Sequence, residues 1–115
     1  MTFEPFDVVT LPFPFADRNQ VVVRPALVLT DHQPFGTHSG IAIVAMITSA
    51  SRSAWPHDVP VGDLASAGLR AECVVRAKLN SIDLGLIDRK IGALSKSDSQ
   101  AVRTALRQLL AGVLS

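Results

Sequence analysis

Apolar positions fall in short runs along most of this chain, and only the last stretch repeats them at helical spacing. Residues 6–11 are mostly apolar and β-branched, Asp7 apart, and predict a first strand, ended by Pro12 and Pro14. Residues 12–19 read as a loop carrying Phe13 and Phe15. Residues 21–30 predict a second strand, in which 26–29 contain no polar position, the pattern of a strand buried on both faces. Pro34, Gly36 and Gly40 mark residues 31–40 as a loop. Residues 41–48 are continuously hydrophobic and predict a central third strand. A polar loop over 49–56 carries Arg52 and Trp55. Residues 57–61 alternate like a short edge strand, and 62–68 have room for one helical turn with Asp63 near its start. Further strands are expected over 72–78 and 87–94, the latter with Gly92 at a bulge or bend.

The C-terminal pattern changes. Ser95 and Asp98 have the S-x-x-D form of a capping box. Ala101, Val102, Ala105, Leu106, Leu109, Leu110 and Val113 then recur at helical spacing. Five or six short strands followed by one amphipathic helix predict a mainly β fold, a small, strongly bent sheet or barrel with a covering helix.

Composition narrows the class without naming a function. A chain of 115 residues fits one domain, residues 1–115, large enough to bury a core without staples. Eleven basic against ten acidic residues exclude a polybasic arm but leave room for a local cationic cluster. Cys73 is the only cysteine, so no intramolecular disulfide forms, and a reducing cytoplasm is the expected compartment. No signal-peptide pattern is present, and the longest apolar run is too short to span a bilayer, so no membrane partner is expected. His32, His38 and His57 lack metal-ligand spacing. No metal or other cofactor is expected.

Arg24 is the awkward residue. It is a permanent cation where a core strand begins, and burying it unpaired is costly. It must reach solvent, a carboxylate such as Asp7, Asp17 or Asp31, or a ligand phosphate. Thr48, at the end of the next strong strand, offers a hydroxyl donor, although threonine is common in any strand.

Two connected signatures carry a resemblance: Arg24-Pro25-Ala26-Leu27-Val28-Leu29, and Ile47-Thr48-Ser49 closing the third strand. With them stand Asp7-Val8-Val9, the Pro12-Phe13-Pro14-Phe15 loop, Val74-Val75-Arg76-Ala77-Lys78-Leu79, Asp83, and the segment from Arg89 to Ser95 before the helix. In this order, over nearly the whole chain, they resemble the MazF/PemK family of toxins of type II toxin–antitoxin systems. Phe6 stands where that family usually has glycine, and Val23 where a second basic residue is common.

The resemblance implies an SH3-like small β-barrel with a C-terminal α-helix, usually a homodimer. It implies a metal-independent, sequence-specific endoribonuclease that cuts single-stranded mRNA, leaving a 2′,3′-cyclic phosphate and a 5′-hydroxyl, and so inhibits translation and growth. A cognate antitoxin would cover the RNA groove, and operator DNA would be contacted only through the antitoxin complex. The family's arginine and threonine fall on Arg24 and Thr48, the expected catalytic residues. Metal-free cleavage needs the 2′-hydroxyl deprotonated, the phosphorane charge met and the 5′ oxygen protonated. The planar guanidinium of Arg24 suits the second need. Arg18, Ser49, Arg52, Trp55, Arg76 and Lys78 are the expected RNA contacts, Trp55 by stacking. Two other readings compete: a weakly active or inactive MazF-like module that works with its antitoxin in autoregulation, and a bare SH3-like peptide-binding domain. Absence of tyrosine and a single tryptophan disfavour the last.

Overall fold

The computed structural model describes residues 2–13, 22–52 and 54–115, the side chain of Phe13 excepted. Six strands form one antiparallel sheet: β1 (Asp7–Phe13), β2 (Val22–Val28), β3 (Ile41–Ser49), β4 (Val59–Pro60), β5 (Cys73–Asp83) and β6 (Arg89–Ala93). Their order across the sheet is β4-β5-β3-β2-β1-β6. The sheet curls into a half-barrel. Short helices α1 (Thr37–Ser39) and α2 (Leu64–Ala67) lie in connections, and α3 (Lys96–Leu109) and α4 (Ala111–Leu114) end the chain.

Continuous hydrophobicity in β2 and β3 has a plain cause: the sheet carries an apolar cluster on each face. Leu27, Ala45, Ile47 and Val75 point to one cluster, which Val102 of α3 covers. Ala26, Val28, Val44 and Met46 point to the other, closed by Phe3 and Ile82 with Leu84 and Ile87. Ala26, Leu27 and Val28 are all essentially inaccessible to solvent, as a two-sided strand requires.

Several expected boundaries move. Pro12 does not end the first strand, which continues to Phe13 opposite Val22. The reason is that β6 stops pairing with β1 at Thr10, so Pro12 sits where its strand has a neighbour on one side only. Pro25 is similar, since β2 pairs with β3 only from Ala26 onward. Within residues 31–39 the loop holds tight turns broken at Gln33, whose backbone is extended (φ −129°, ψ 131°), with the Asp31 carboxylate accepting the Phe35 N–H at 3.0 Å. The fourth strand shrinks to two residues at the sheet edge, while β5 runs to Asp83, five residues beyond the expected end.

Two glycines lock α2 onto β6. A Cβ on Gly92 would lie 2.5 Å from the carbonyl carbon of Ala67, and one on Gly68, at φ +73°, would lie 2.1 Å from the carbonyl oxygen of Ile91. The expected bulge is present: Val8 pairs with Gly92 and Val9 with Lys90, leaving Ile91 as the extra residue.

Ser95 caps α3, its Oγ accepting the Asp98 N–H at 3.1 Å. The reciprocal half of the capping box is spent elsewhere. The buried Asp98 carboxylate accepts the N–H groups of Gly62 and Asp63, tying the helix start to the β4–α2 connection. The apolar stripe of α3 also does less than its spacing suggests. Val102 is buried, and Ala105 and Leu106 pack against it. Leu109, Leu110 and Val113 run past the sheet and remain exposed. Among the described residues, no helix is long and apolar enough to cross a membrane.

Candidate nucleic-acid interface

Arg24 and Thr48 reach one place through the register of two strands. Ala26 pairs with Met46, Leu27 with Ala45 and Val28 with Val44. The same register continued two residues outward sets Arg24 opposite Thr48, beyond the last ladder pair. Both residues line a cleft of about 210 Å³, together with Met46, Ile47, Arg52, Trp55, Arg76 and Lys78. Arg24 and Thr48 extend the rows Ala26–Val28 and Val44–Met46, so the cleft opens at the end of the second apolar cluster. Arg24 is half-buried there. Asp7, one carboxylate considered for it, holds Lys90 Nζ at 3.1 Å and the Glu4 N–H at 2.8 Å.

The far wall depends on an irregularity in β5. Ala45 pairs with Leu79 and Ile47 with Val75, so Arg76, Ala77 and Lys78 together face the single residue Met46. This bulge turns β5 locally and brings both Arg76 and Lys78 to the cleft, as alternating positions on one strand. Lys78 is exposed, whereas Arg76 is only 8% exposed. Arg76 is therefore no solvated surface cation. Its Nε donates to Asp58 Oδ1 at 3.1 Å and its Nη2 to Asp58 Oδ2 at 3.0 Å, a bidentate ion pair.

The loop after β3 delivers the partner. Asp58 N–H donates to the Trp55 carbonyl at 3.3 Å across Pro56 and His57. Proline followed by a residue at φ +66° is the pattern of a type II turn, here with His57 where glycine is usual. Asp58 Oδ2 also accepts the Trp55 N–H at 2.9 Å. The Arg76 guanidinium lies over the indole, its Cζ 5.0 Å from the ring centroid. Hydrogen bonds from Arg76, helped by the Trp55 N–H and opposed by partial burial, hold the Asp58 carboxyl below the usual aspartate range.

The other expected residues divide. Arg52 is exposed and lines the cleft. Ser49 does not line it; its Oγ shares a hydrogen bond of 2.8 Å with Ser51 Oγ in the following turn. Arg18 lies outside the described residues. Sequence reasoning passed over Asp58, whose signal was only an acid next to the Trp-Pro turn. Cys73 is half-buried against the core, its thiol donating to the Ala71 carbonyl at 3.0 Å and pushed up in pKa by burial. His32 and His38 belong to the turns before β3, and His57 to the loop after it. Among the described residues no three His, Cys, Asp or Glu side chains form a set fit for a metal ion.

A curled antiparallel sheet with a terminal helix, bearing a surface cleft lined by Arg24, Arg52, Lys78 and the Asp58-paired Arg76, defines a small β protein with a cationic cleft. Residues 4–110 match the family of PemK-like, MazF-like toxins of type II toxin–antitoxin systems, and the chain belongs to that family. Solved structures agree on the fold. A MazE–MazF complex from Deinococcus radiodurans is 22% identical with a TM-score of 0.77, covering 100% of this chain and 99% of the other. The Mycobacterium tuberculosis toxin MazF-mt6 is 27% identical with a TM-score of 0.67, over 94% of this chain and 97% of that one. A mycobacterial endoribonuclease solved with its cognate antitoxin is 14% identical with a TM-score of 0.73, over 95% of each chain. No curated protein matches the chain significantly in sequence.

Proposed function

We propose that this single-domain protein is a cytoplasmic endoribonuclease toxin that cuts single-stranded RNA without a metal. It acts as a homodimer and is held in check by a cognate antitoxin, with operator DNA contacted only through that complex. The observation that carries the reading is the meeting of Arg24 and Thr48 in one cation-lined cleft. A relative of the same fold is itself an endoribonuclease solved with its antitoxin, which supports both the activity and the partner.

Chemistry follows from the donors. The Arg24 fork offers parallel N–H groups to the non-bridging phosphate oxygens, where charge grows as the 2′-oxygen attacks. The Thr48 hydroxyl donates to the same phosphate or orients the 2′-hydroxyl. In-line attack breaks the bond to the 5′ oxygen and leaves a 2′,3′-cyclic phosphate and a 5′-hydroxyl. Arg52 and Lys78 hold the flanking backbone as point charges.

The test is cleavage of single-stranded RNA in EDTA. Wild-type protein should cut, and Arg24→Ala should lower the rate about a hundred- to a thousandfold. Thr48→Ala should also lower it, with both variants melting near the wild type. Full activity in both variants would overturn the assignment. One observation favours a second reading, a weakly active module that serves autoregulation: Val23, beside Arg24, is 55% exposed and adds no positive charge. Absence of cleavage, together with antitoxin-dependent operator binding, would select that reading.

A further inference from the structure

We propose that Asp58 is a positioning residue that fixes Trp55 as a stacking surface for an unpaired nucleobase. The proposal rests on the nucleic-acid reading of the cleft given above, in which Trp55 stacks on a base, and adds a residue, Asp58, and a role for it which that reading does not require.

The geometry is a closed set of contacts. One carboxylate receives three donors: the Trp55 N–H, Arg76 Nε and Arg76 Nη2. The first fixes the backbone that carries the indole. The other two hold the guanidinium over the ring. The turn Trp55-Pro56-His57-Asp58 closes through its own backbone bond, so both the N–H and the carbonyl of Trp55 are tied to Asp58. Arg76 and Asp58 are nearly excluded from solvent, with side chains 9% and 14% exposed, and their charges offset each other. Arg76 is thus a support for the ring rather than a phosphate anchor.

Trp55 nevertheless keeps 43% of its surface exposed, at a cleft whose other polar walls are Arg24, Arg52, Thr48 and Lys78. A rigid, exposed indole among cations matches how single strands are held: the backbone follows the charges and a base lies on the ring. A flexible loop tryptophan would lose ordering entropy on each binding event. The Asp58 clamp settles that cost during folding. A protein segment could also reach an exposed indole, but the surrounding cations favour the polyanion.

The chain contains one tryptophan and no tyrosine, so intrinsic fluorescence reports on this one ring. The probe is a short, mixed-sequence single-stranded oligodeoxynucleotide, which binds but lacks the 2′-hydroxyl needed for cleavage. Emission should be quenched on saturation. Asp58→Asn should weaken binding about five- to tenfold and reduce the quench. Trp55→Ala, measured by anisotropy of a labelled strand, should lose a similar factor, and Trp55→Phe should recover most of it. Combining Asp58→Asn with Trp55→Ala should be no worse than Trp55→Ala alone, because Asp58 acts through the ring. With cleavable RNA, Asp58→Asn should raise KM more than it lowers kcat. If Asp58→Asn fails to fold, Asp58→Glu, which keeps the charge beside Arg76 but moves the acceptor away from the Trp55 N–H, carries the test and should show the same loss of binding and quench.

An unquenched wild type at saturation, losses that add in full, or wild-type binding by Trp55→Ala would each overturn the proposal. Quenching only by a protein partner would do the same. Binding with quenching but no RNA cleavage would sink the ribonuclease reading and leave this one standing. Cleavage with an unperturbed indole would do the reverse.

Discussion

The guanidinium of Arg103 lies over the ring of Phe6, its Cζ 4.6 Å from the ring centroid, and so braces a residue whose backbone is at φ +74°. That left-handed conformation is natural for glycine and costs a bulky side chain roughly 1–3 kcal/mol. It is held by bonds on both sides, Phe6 N–H to the Val28 carbonyl at 2.8 Å and Leu94 N–H to the Phe6 carbonyl at 2.9 Å. The family resemblance places glycine at this position, and a positive φ here suits that residue. Phenylalanine retains the strain and offsets it by packing on the helix-side core and under Arg103.

An unusual ranking follows for Phe6. Alanine keeps the strain and loses the contacts, so Phe6→Ala should destabilise by about 2–4 kcal/mol. Phe6→Gly loses the same contacts but relieves the strain, and should cost about 1 kcal/mol less than alanine. Arg103→Ala should cost about 0.5–1 kcal/mol. Urea denaturation of the three variants gives the order; glycine falling below alanine would contradict it.

Acid stability should depend on Asp58. Its carboxyl is held below the usual 3.8 in the folded protein, chiefly by the Arg76 hydrogen bonds. A depressed folded-state pKa means the clamp's contribution is complete above that usual value. It is lost as pH falls through the lower folded-state value. Denaturation midpoints followed from pH 6 to pH 2 should show a steeper acid decline in wild type than in Asp58→Asn.

Anchoring of α3 should be sensitive to one carboxylate. Asp98→Ala removes the acceptor of the Gly62 and Asp63 N–H groups in a part-buried site and should cost about 2–3 kcal/mol. Ser95→Ala loses only the cap and should cost about 1 kcal/mol. Thermal melts of both variants, at a pH near neutrality, separate the two effects.

Gly92→Ala should be among the most damaging small substitutions in the chain. The added methyl meets the Ala67 and Ser66 backbone of α2 at 2.5 Å, which no rotamer change relieves. A loss of about 3 kcal/mol or more is expected. Gly85→Ala, where a Cβ meets nothing within 4 Å, is the control and should stay within about 0.5 kcal/mol of wild type.

Replacement of Arg24 by lysine tests geometry apart from charge. Lysine keeps the positive charge but gives up the fork. If Arg24 meets two phosphate oxygens together, Arg24→Lys should retain RNA binding within about threefold while cleavage falls at least about tenfold. Filter binding and single-turnover cleavage measure the two effects separately.

Local pattern by itself determined the strand sequence, the apolar columns of β2 and β3, the helical turn starting near Asp63, the Ser95 cap and the terminal helix. These depend on periodicity and on contacts within a few residues. It also singled out Arg24, because a guanidinium in a buried run conflicts with its surroundings wherever the chain goes. Tertiary structure decided what needs a neighbour from elsewhere. Pro12 is tolerated inside β1 because β6 ends before it. Asp98 turns from its own helix to Gly62, and the end of the α3 stripe finds no sheet beneath it. The bulge in β5 and the turn at Trp55 join Arg76 to Asp58 across eighteen positions. Charge pairing of that kind leaves no trace in hydrophobic periodicity, since it depends on the register of two strands: Val59 opposite Val75 sets Asp58 beside Arg76.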